Sequence, residues 1–211
     1  IPSQHTAAPE TEETNNILAR CLATGLKEYC VGISFGKNGA TFESNGISEI
    51  TLETFVIDLN DESETTKPNV TVKNDEDGGT GQNTGSIDIK SAGIEIEFDF
   101  NSHKLRADQL DKVSVLAAAF ADDINAGKLY AIVGHTDGKG SESYNCKLSA
   151  KRAATITRTL LLSGAKASLQ PIGVGEVLLK DVSNPANAQN RRVSFLKLDD
   201  NAETVINAFK A

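Results

Sequence analysis

Two polar side chains fall on the apolar stripe of a helix that the sequence predicts over residues 144–163. At about 100° per residue, Arg152 and Asn145 lie within the same arc as Leu148 and Ile156. A buried arginine keeps its charge, so it needs an anionic or polar partner. Its planar guanidinium group matches the two oxygens of a carboxylate. The helix therefore predicts a site at which Arg152 binds an anionic group.

Asp137, in the loop that leads into this helix, is the nearest partner for Arg152 in the sequence. Two interpretations are open. In the first, Arg152 and Asp137 form an internal ion pair. In the second, both side chains face a ligand that carries a carboxylate and an ammonium group; Arg152 binds the anion, Asp137 binds the cation and Asn145 adds amide hydrogen bonds. The segment NRRV at 190–193 supplies two further cationic side chains.

The loop itself, GHTDGKGS at 134–141, excludes several other kinds of chemistry. It differs from a phosphate-binding P-loop, because its first two glycines enclose three residues rather than four and Lys139 is followed by glycine. His135 and Asp137 share a strand face, but no third metal ligand stands at a recognisable spacing. Residues 87–198 contain no G-x-S-x-G nucleophile motif. We therefore predict no metal, no cofactor and no catalytic activity.

Composition narrows the class of partner. The chain has 211 residues, with 21 Lys and Arg against 29 Asp and Glu, a net charge of −8 and a pI near 4.9. Binding to nucleic acid depends on clustered basic residues, so nucleic acid is not an expected partner. No apolar run approaches the ~20 residues that a membrane-spanning helix needs, so no transmembrane segment is predicted in this chain.

The cysteines bear on the cellular compartment. Cys21 and Cys30 are nine positions apart, a separation that a disulfide can close, whereas Cys146 has no evident partner. We favour a Cys21–Cys30 disulfide in an oxidising compartment, and the alternative is two reduced, buried thiols. The chain begins with Ile1 and contains no methionine, so we expect that an N-terminal segment such as a signal peptide has been removed.

Composition and periodicity divide the chain into five predicted segments. Residues 1–14 lack apolar periodicity and are typical of a flexible tail. Residues 15–59 combine a helical pattern with strand patterns, which predicts a small α+β N-terminal module. Residues 60–86 are rich in acidic residues, Gly, Asn and Thr, which predicts a linker. Residues 87–198 form the main domain, and residues 199–211 form a C-terminal tail or short helix.

The main domain has the element order of an α/β fold. Apolar and polar residues alternate from 94 to 101, which is typical of a strand with one buried face. A helical stripe covers 106–126, and the apolar run at 129–133 indicates a strand that is covered on both faces. The remaining elements are the helix at 144–163, a strand near 168–176 and a last strand at 193–198. This order predicts a two-layer α/β sandwich.

Four motifs of the main domain stand in a specific order: IEIEFDFNSHKL, GHTDGKGSESYNCKLSAKRA, GVGE and NRRV. In this order they resemble the OmpA-like peptidoglycan-binding family, which includes domains of the outer-membrane lipoprotein Pal and of flagellar stator proteins. The resemblance covers about residues 94–197, and the second motif is the most specific part of it. It implies a mixed four-stranded sheet, with the elements in the order βαβαββ and the helices on one side.

The resemblance also implies a function. The family binds the peptidoglycan stem peptide non-covalently through diaminopimelate, whose side chain carries a free carboxylate and a free ammonium group. On the matching positions, Asp137 would bind the ammonium group and Arg152 the carboxylate, and Asn101, Asn145 and Arg191 would complete the pocket. Such a protein tethers an envelope protein or complex to the cell wall in the periplasm of a Gram-negative bacterium.

An alternative function places the main contact elsewhere in the chain. The protein would be an assembly component of a secretion or motility complex, with an envelope protein bound through residues 15–60. Wall binding would then be secondary or lost. The extra N-terminal module and the acidic linker are the features that motivate this alternative.

Overall fold

The computed structural model describes most of the chain between residues 16 and 209. The described residues are 16–25, 27–30, 32–36, 39–42, 50–58, 69–74, 85–99, 101–198 and 202–209. The predicted tail at 1–14 lies outside them, as do most of the predicted linker at 60–86 and Phe100.

The described residues form eight strands and five α-helices. The strands are β1 (Ile33–Gly36), β2 (Gly39–Phe42), β3 (Ile50–Asp58), β4 (Asn69–Asn74), β5 (Ser86–Ile94), β6 (Leu129–Gly134), β7 (Ser168–Gly173) and β8 (Val193–Leu198). The helices are α1 (Ile17–Thr24), α2 (Lys27–Cys30), α3 (Leu110–Ala121), α4 (Glu142–Leu162) and α5 (Ala202–Phe209). Within the described ranges, none of the helices is both long enough and apolar enough to span a membrane.

Six of the strands form one mixed sheet. Their order is β4-β3-β5-β8-β6-β7, while β1 and β2 form a separate hairpin. Neighbouring strands are antiparallel except β6 and β7, which are parallel and are joined through α4. A parallel pair requires such a crossover connection. The prediction of a mixed α/β fold is confirmed.

The sheet has six strands where the sequence predicted four. The additional strands are β3, which pairs with β5 along its whole length, and β4, which pairs with β3. β4 lies within residues 60–86, the predicted linker; its alternating valines at positions 70 and 72 are typical of a strand. The described part of residues 15–59 therefore contributes to the same sheet as the main domain.

The strand predicted over residues 94–101 begins and ends earlier in the chain. β5 ends at Ile94, which lies opposite Val193, the first residue of its neighbour β8. Beyond this point no partner strand continues the ladder in the described part of the chain, although Ile96 and Phe98 stay buried and Phe98 forms an isolated bridge with Leu105. The alternating pattern predicted burial correctly, but burial here does not require strand pairing.

Apolar side chains cover both faces of the sheet. Tyr130 and Ile132 of β6 belong to a core cluster with α1, α3 and α4. Ala131 and Val133, on the opposite face, belong to a second cluster that includes Phe209 of α5. The run at 129–133 was predicted to be a strand covered on both faces, and the cover on the second face includes the short helix α5. The sequence predicted two layers, one of sheet and one of helices. Helix α5 adds a third layer on the opposite face of the sheet.

The predicted disulfide is confirmed. Cys21 of α1 and Cys30 of α2 are bonded, with their sulfur atoms 2.09 Å apart, and both residues lie in the first core cluster. Cys146, in α4, is a free, half-buried thiol.

Candidate functional site

Helix α4 carries Asn145 and Arg152, and two glycines allow it to lie close against the sheet. Gly134 ends β6 and Gly173 ends β7. A Cβ atom at Gly134 would overlap the backbone carbonyl group of Ser149, and one at Gly173 would overlap the backbone of Ala150. Only glycine fits at these two positions, because the helix backbone occupies the space that a Cβ atom would need. They set the distance between α4 and the loops at this end of the sheet.

Arg152 is buried but has no carboxylate bound to it in the described part of the chain. It is 4% exposed, and its Nε and Nη2 atoms donate to the backbone carbonyls of Ser102 (3.1 Å) and Asp99 (3.4 Å). Its guanidinium carbon lies 5.0 Å from the centre of the Phe98 ring. Burial lowers the pKa of Arg152 and nearby Asp137 opposes this effect, but an arginine stays charged. The Nη1 atom makes no hydrogen bond among the described residues.

Asp137 is paired with Arg191 rather than with Arg152. Its Oδ2 atom lies 2.9 Å from Nη1 of Arg191, and its Oδ1 atom accepts a hydrogen bond from the backbone N–H of Lys139 at 3.3 Å. The Asp137 side chain is 15% exposed and that of Arg191 is 35% exposed. The internal Arg152–Asp137 ion pair, which the sequence left open, is therefore wrong for this structure. The reason is that backbone carbonyls hold Arg152, while Arg191 reaches Asp137 from the loop before β8.

Asn145 joins two loops that surround the start of α4. The side chain is 1% exposed, and its Nδ2 atom donates to the backbone carbonyls of Asp137 (3.4 Å) and Lys139 (3.0 Å). The same amide group donates to the carboxylate of Glu176, which follows β7. Asn145 thus holds the loop that carries Asp137 against the segment that carries Glu176.

Asn101 lies at the turn that also holds Arg152. Its backbone has φ 55°, a left-handed conformation in which asparagine is among the more frequent non-glycine residues. Its side-chain oxygen accepts a hydrogen bond from the hydroxyl group of Tyr144, in the first turn of α4. The structure therefore brings Asn101 next to the helix that carries Asn145 and Arg152.

The loop that carries Arg191 is fixed by a buried asparagine. Asn190 donates from Nδ2 to the carbonyl of Pro185 (3.1 Å), and its Oδ1 atom accepts from the backbone N–H of Asp181 (2.8 Å). Gly138, in the loop of Asp137, donates its backbone N–H to the carbonyl of Pro185 at 2.8 Å. The loops that carry Asp137 and Arg191 are therefore connected by main-chain hydrogen bonds.

His135, the first residue after β6, is part of the buried interior. Its Nε2 atom lies 3.1 Å from the hydroxyl oxygen of Ser194, and that hydroxyl group donates to Glu53 at 3.0 Å. Burial, followed by the charge of Arg192, holds the pKa of His135 well below its usual value. The described residues contain no group of three or more His, Cys, Asp or Glu side chains arranged to hold a metal ion.

Four residues of this region were not among the predicted site residues. Tyr144 and Ser102 contact Asn101 and Arg152, respectively, Glu176 contacts Asn145, and Arg192 is the neighbour of Arg191 in the chain. All four stand inside the quoted motifs, as the Ser of NSHKL, the Tyr of YN, the Glu of GVGE and the second Arg of NRRV. The motifs gave their positions, but only the three-dimensional arrangement shows what they contact.

The region combines charges of both signs within a short distance. Asp137 and Glu176 supply carboxylates, and Arg152 and Arg191 supply guanidinium groups. Both Asp137 and Arg191 contribute to the electrostatic environment of Arg152. Such an arrangement can bind a small ligand that carries both an anionic and a cationic group.

Comparisons with known proteins identify the family. The OmpA family model matches residues 97–192. The peptidoglycan-associated lipoprotein of Pseudomonas putida is 31% identical over 134 residues, which cover 58% of this chain and 78% of that protein. The protein of the same name from Mesorhizobium japonicum is 36% identical over 107 residues, which cover 47% of this chain and 60% of that protein.

A solved structure of a protein with a similar sequence matches about half of this chain. The crystal structure of the peptidoglycan-associated lipoprotein from Burkholderia pseudomallei is 25% identical and has a TM-score of 0.41. The similarity covers 49% of this chain and 88% of that chain. The resemblance stated from the motifs is confirmed by the family model and the relatives, and the chain belongs to the OmpA family.

Proposed function

We propose that this protein binds the peptidoglycan stem peptide through the side chain of diaminopimelate and thereby tethers an envelope protein or complex to the cell wall. The binding is non-covalent and the protein is not an enzyme. The observation that carries the proposal is the buried, charged Arg152, whose described partners are only neutral groups.

Arg152 is the residue to which the ligand carboxylate binds. Two backbone carbonyls and the ring of Phe98 orient its guanidinium group, and both N–H groups of Nη1 are left for a ligand. In a site from which water is largely excluded, a hydrogen bond between two charged groups is stronger than a neutral one. A carboxylate therefore compensates the buried charge that the protein itself does not pair.

Asp137 is the residue to which the ligand ammonium group binds. Each carboxylate oxygen can accept two hydrogen bonds, and one is described for each oxygen of Asp137. Arg191 stays close to the carboxylate and adds a second cationic group at the more exposed side of the site. Asn145 and Asn101 act on the ligand indirectly, by holding the loop of Asp137 and the start of α4.

The names of the relatives support a location in the cell envelope. Two of them are peptidoglycan-associated lipoproteins and a third is the outer-membrane lipoprotein YfiB of Pseudomonas aeruginosa. We place this chain in the periplasm of a Gram-negative bacterium, an oxidising compartment in which the Cys21–Cys30 disulfide is stable.

Co-sedimentation with purified sacculi tests the proposal. The wild-type protein should pellet with sacculi that contain diaminopimelate, and Asp137→Asn and Arg152→Gln should each stay in the supernatant. Sacculi that contain lysine in the same position lack the side-chain carboxylate, so they should retain much less wild-type protein. Arg158→Gln is the matched control for Arg152, because Arg158 is exposed on the same helix. Equal retention on both types of sacculi would contradict the assignment of the ligand.

The alternative function, assembly through residues 15–60, stays a prediction. The described residues of this segment contribute β3 to the sheet and α1 to the core. An envelope protein captured by the full chain, and lost when exposed residues of this segment are substituted, would support it.

A further inference from the structure

The second arginine of NRRV is buried and has a carboxylate partner from a distant part of the chain. Nε of Arg192 lies 2.7 Å from Oε1 of Glu53, and Nη2 lies 3.3 Å from Oε2. Both side chains have 0% exposure. The hydroxyl group of Ser194 donates to the same carboxylate at 3.0 Å. Glu53 thus receives three hydrogen bonds inside the protein, and two of them come from Arg192.

Arg192 also connects the segments that form the ligand site. Its backbone carbonyl accepts a hydrogen bond from the N–H of His135 (3.0 Å), two residues before Asp137. Its Nη1 atom donates to the carbonyl of Leu178 (3.3 Å), two residues after Glu176. Its neighbour in the chain, Arg191, forms the ion pair with Asp137. Arg192 therefore contacts or adjoins the three segments that carry Asp137, Glu176 and Arg191.

This arrangement depends on Glu53. A buried guanidinium group without a counter-charge is unfavourable, and the surrounding structure would move to admit water or to expose the charge. Either movement would displace Arg192 from the carbonyl of Leu178 and from the amide group of His135. Glu53 lies on β3, more than forty residues before residue 97, where the family model begins to match. The partner is therefore supplied by a strand outside the matched segment.

We propose that Glu53 is a positioning residue for the ligand site. It holds Arg192, and through Arg192 it fixes the loops that carry Asp137, Glu176 and Arg191. Strand β3 therefore contributes to the ligand site, because it carries Glu53. This inference rests on the proposed function, because ligand binding is the property that the loops serve.

The test compares Glu53→Gln with a variant of matched stability. Ile57→Ala removes buried methyl groups from the same face of the same strand and leaves the ion pair intact. Both variants are assayed with diaminopimelate-containing sacculi at a temperature at which both are folded. Glu53→Gln should bind at least about fivefold more weakly than Ile57→Ala. Equal affinity of the two folded variants would overturn the inference.

A double variant separates positioning from stability. Glu53→Leu combined with Arg192→Met replaces the buried pair by apolar side chains, which in other proteins preserves or raises stability. It also removes the hydrogen bond to Leu178. The double variant should therefore be as stable as the wild type but should still bind sacculi weakly. Wild-type affinity in the double variant would show that the pair serves stability alone and would overturn the inference.

Hydrogen exchange keeps this inference distinguishable from the proposed function. The amide N–H of Thr136 donates to Gly175 (2.9 Å) and that of Gly138 donates to Pro185 (2.8 Å), so both report on the loops without any ligand. Both amides should exchange faster in Glu53→Gln than in Ile57→Ala. If the wild type does not bind sacculi, the proposed function fails, and the exchange rates alone test the positioning role of Glu53. Faster exchange in Glu53→Gln than in Ile57→Ala would then support this role, and equal exchange would overturn it.

Discussion

Arg152 and Arg192 are almost equally buried, with 4% and 2% of the whole residue exposed, but their surroundings differ. Arg192 lies against the carboxylate of Glu53, which matches its charge. Arg152 lies against two backbone carbonyls and an aromatic ring, and no ion pair of its side chain is formed among the described residues. Neither guanidinium group can lose its charge. The charge of Arg192 is therefore balanced inside the protein, whereas the charge of Arg152 is available to an anionic ligand.

The comparison shows that burial of an arginine does not by itself indicate a binding site. The two arginines belong to one sheet-and-helix unit and have nearly the same exposure. The partner decides the role, since an internal carboxylate makes the arginine structural and neutral acceptors leave it available to a ligand.

The largest expected effect is on stability when Arg192 loses its counter-charge. Glu53→Gln should lower the free energy of unfolding by about 3–5 kcal/mol, because a charged group then stays buried without a partner. Urea denaturation measures this. Asp123→Asn, which breaks an exposed ion pair with Lys166, is the control and should change stability by less than about 1 kcal/mol. Similar losses of unfolding free energy in the two variants would contradict the claim that Glu53 balances the buried charge of Arg192.

A smaller loss is expected when α4 is moved away from the sheet. Gly134→Ala places a Cβ atom against the backbone of Ser149 and should cost about 1–3 kcal/mol. Because α4 carries Arg152, binding to sacculi should fall as well. Gly127→Asn is the control, since Gly127 has φ 71° and open space around it and asparagine tolerates this conformation. Unimpaired binding by folded Gly134→Ala would contradict the role assigned to the position of α4.

The Arg192 region should also make stability depend on pH. The pKa of His135 is held well below 6.5, so the folded protein takes up fewer protons than the unfolded chain as the pH falls below 6.5. The contribution of His135 is therefore fully present above that pH and is lost below it. From pH 7.5 to 5.5 the loss should be at most about 1.4 kcal/mol. Denaturation of His135→Gln should show a weaker pH dependence, and an identical dependence in both proteins would contradict the assignment.

The smallest effect on stability is expected at the open arginine. Arg152→Gln removes hydrogen bonds to carbonyls but breaks no ion pair, so it should cost about 1 kcal/mol in denaturation experiments. The same variant should lose binding to sacculi. A residue with a purely structural role would instead lose stability and binding together. A loss of stability as large as that of Glu53→Gln would show that Arg152 also has an internal counter-charge.

The sequence predicted the elements whose signals are local. The apolar runs at 129–133 and 193–198 became β6 and β8 with nearly unchanged bounds, and the helix predicted at 144–163 became α4 at Glu142–Leu162. Gly134 and Gly173 were visible in the motifs, but the reason for them, close contact with α4, requires the packed structure. β4 was missed because its short alternating pattern lies within a polar stretch.

The partners of charged side chains could not be predicted in the same way. Whether Asp137 meets Arg152 or Arg191 depends on how two loops approach one another, since these residues are 15 and 54 positions apart in the chain. Glu53 looks like an ordinary polar residue of a strand, yet its partner is 139 positions away. Asn145 and Arg152 lie on α4, the other three predicted site residues lie on neighbouring loops, and contact of the five with a ligand stays a prediction.

The most direct test of the central claim observes both buried arginines in one experiment. The Nε–H groups of Arg152 and Arg192 are each hydrogen-bonded inside the protein, at 3.1 Å and 2.7 Å, so both should give separate signals in a nitrogen–proton NMR spectrum. Titration with free diaminopimelate should shift the Arg152 signal in a saturable manner and leave the Arg192 signal in place. A titration that leaves Arg152 unchanged, or that shifts the two signals equally, would contradict the claim that only the Arg152 region is open to an anionic ligand.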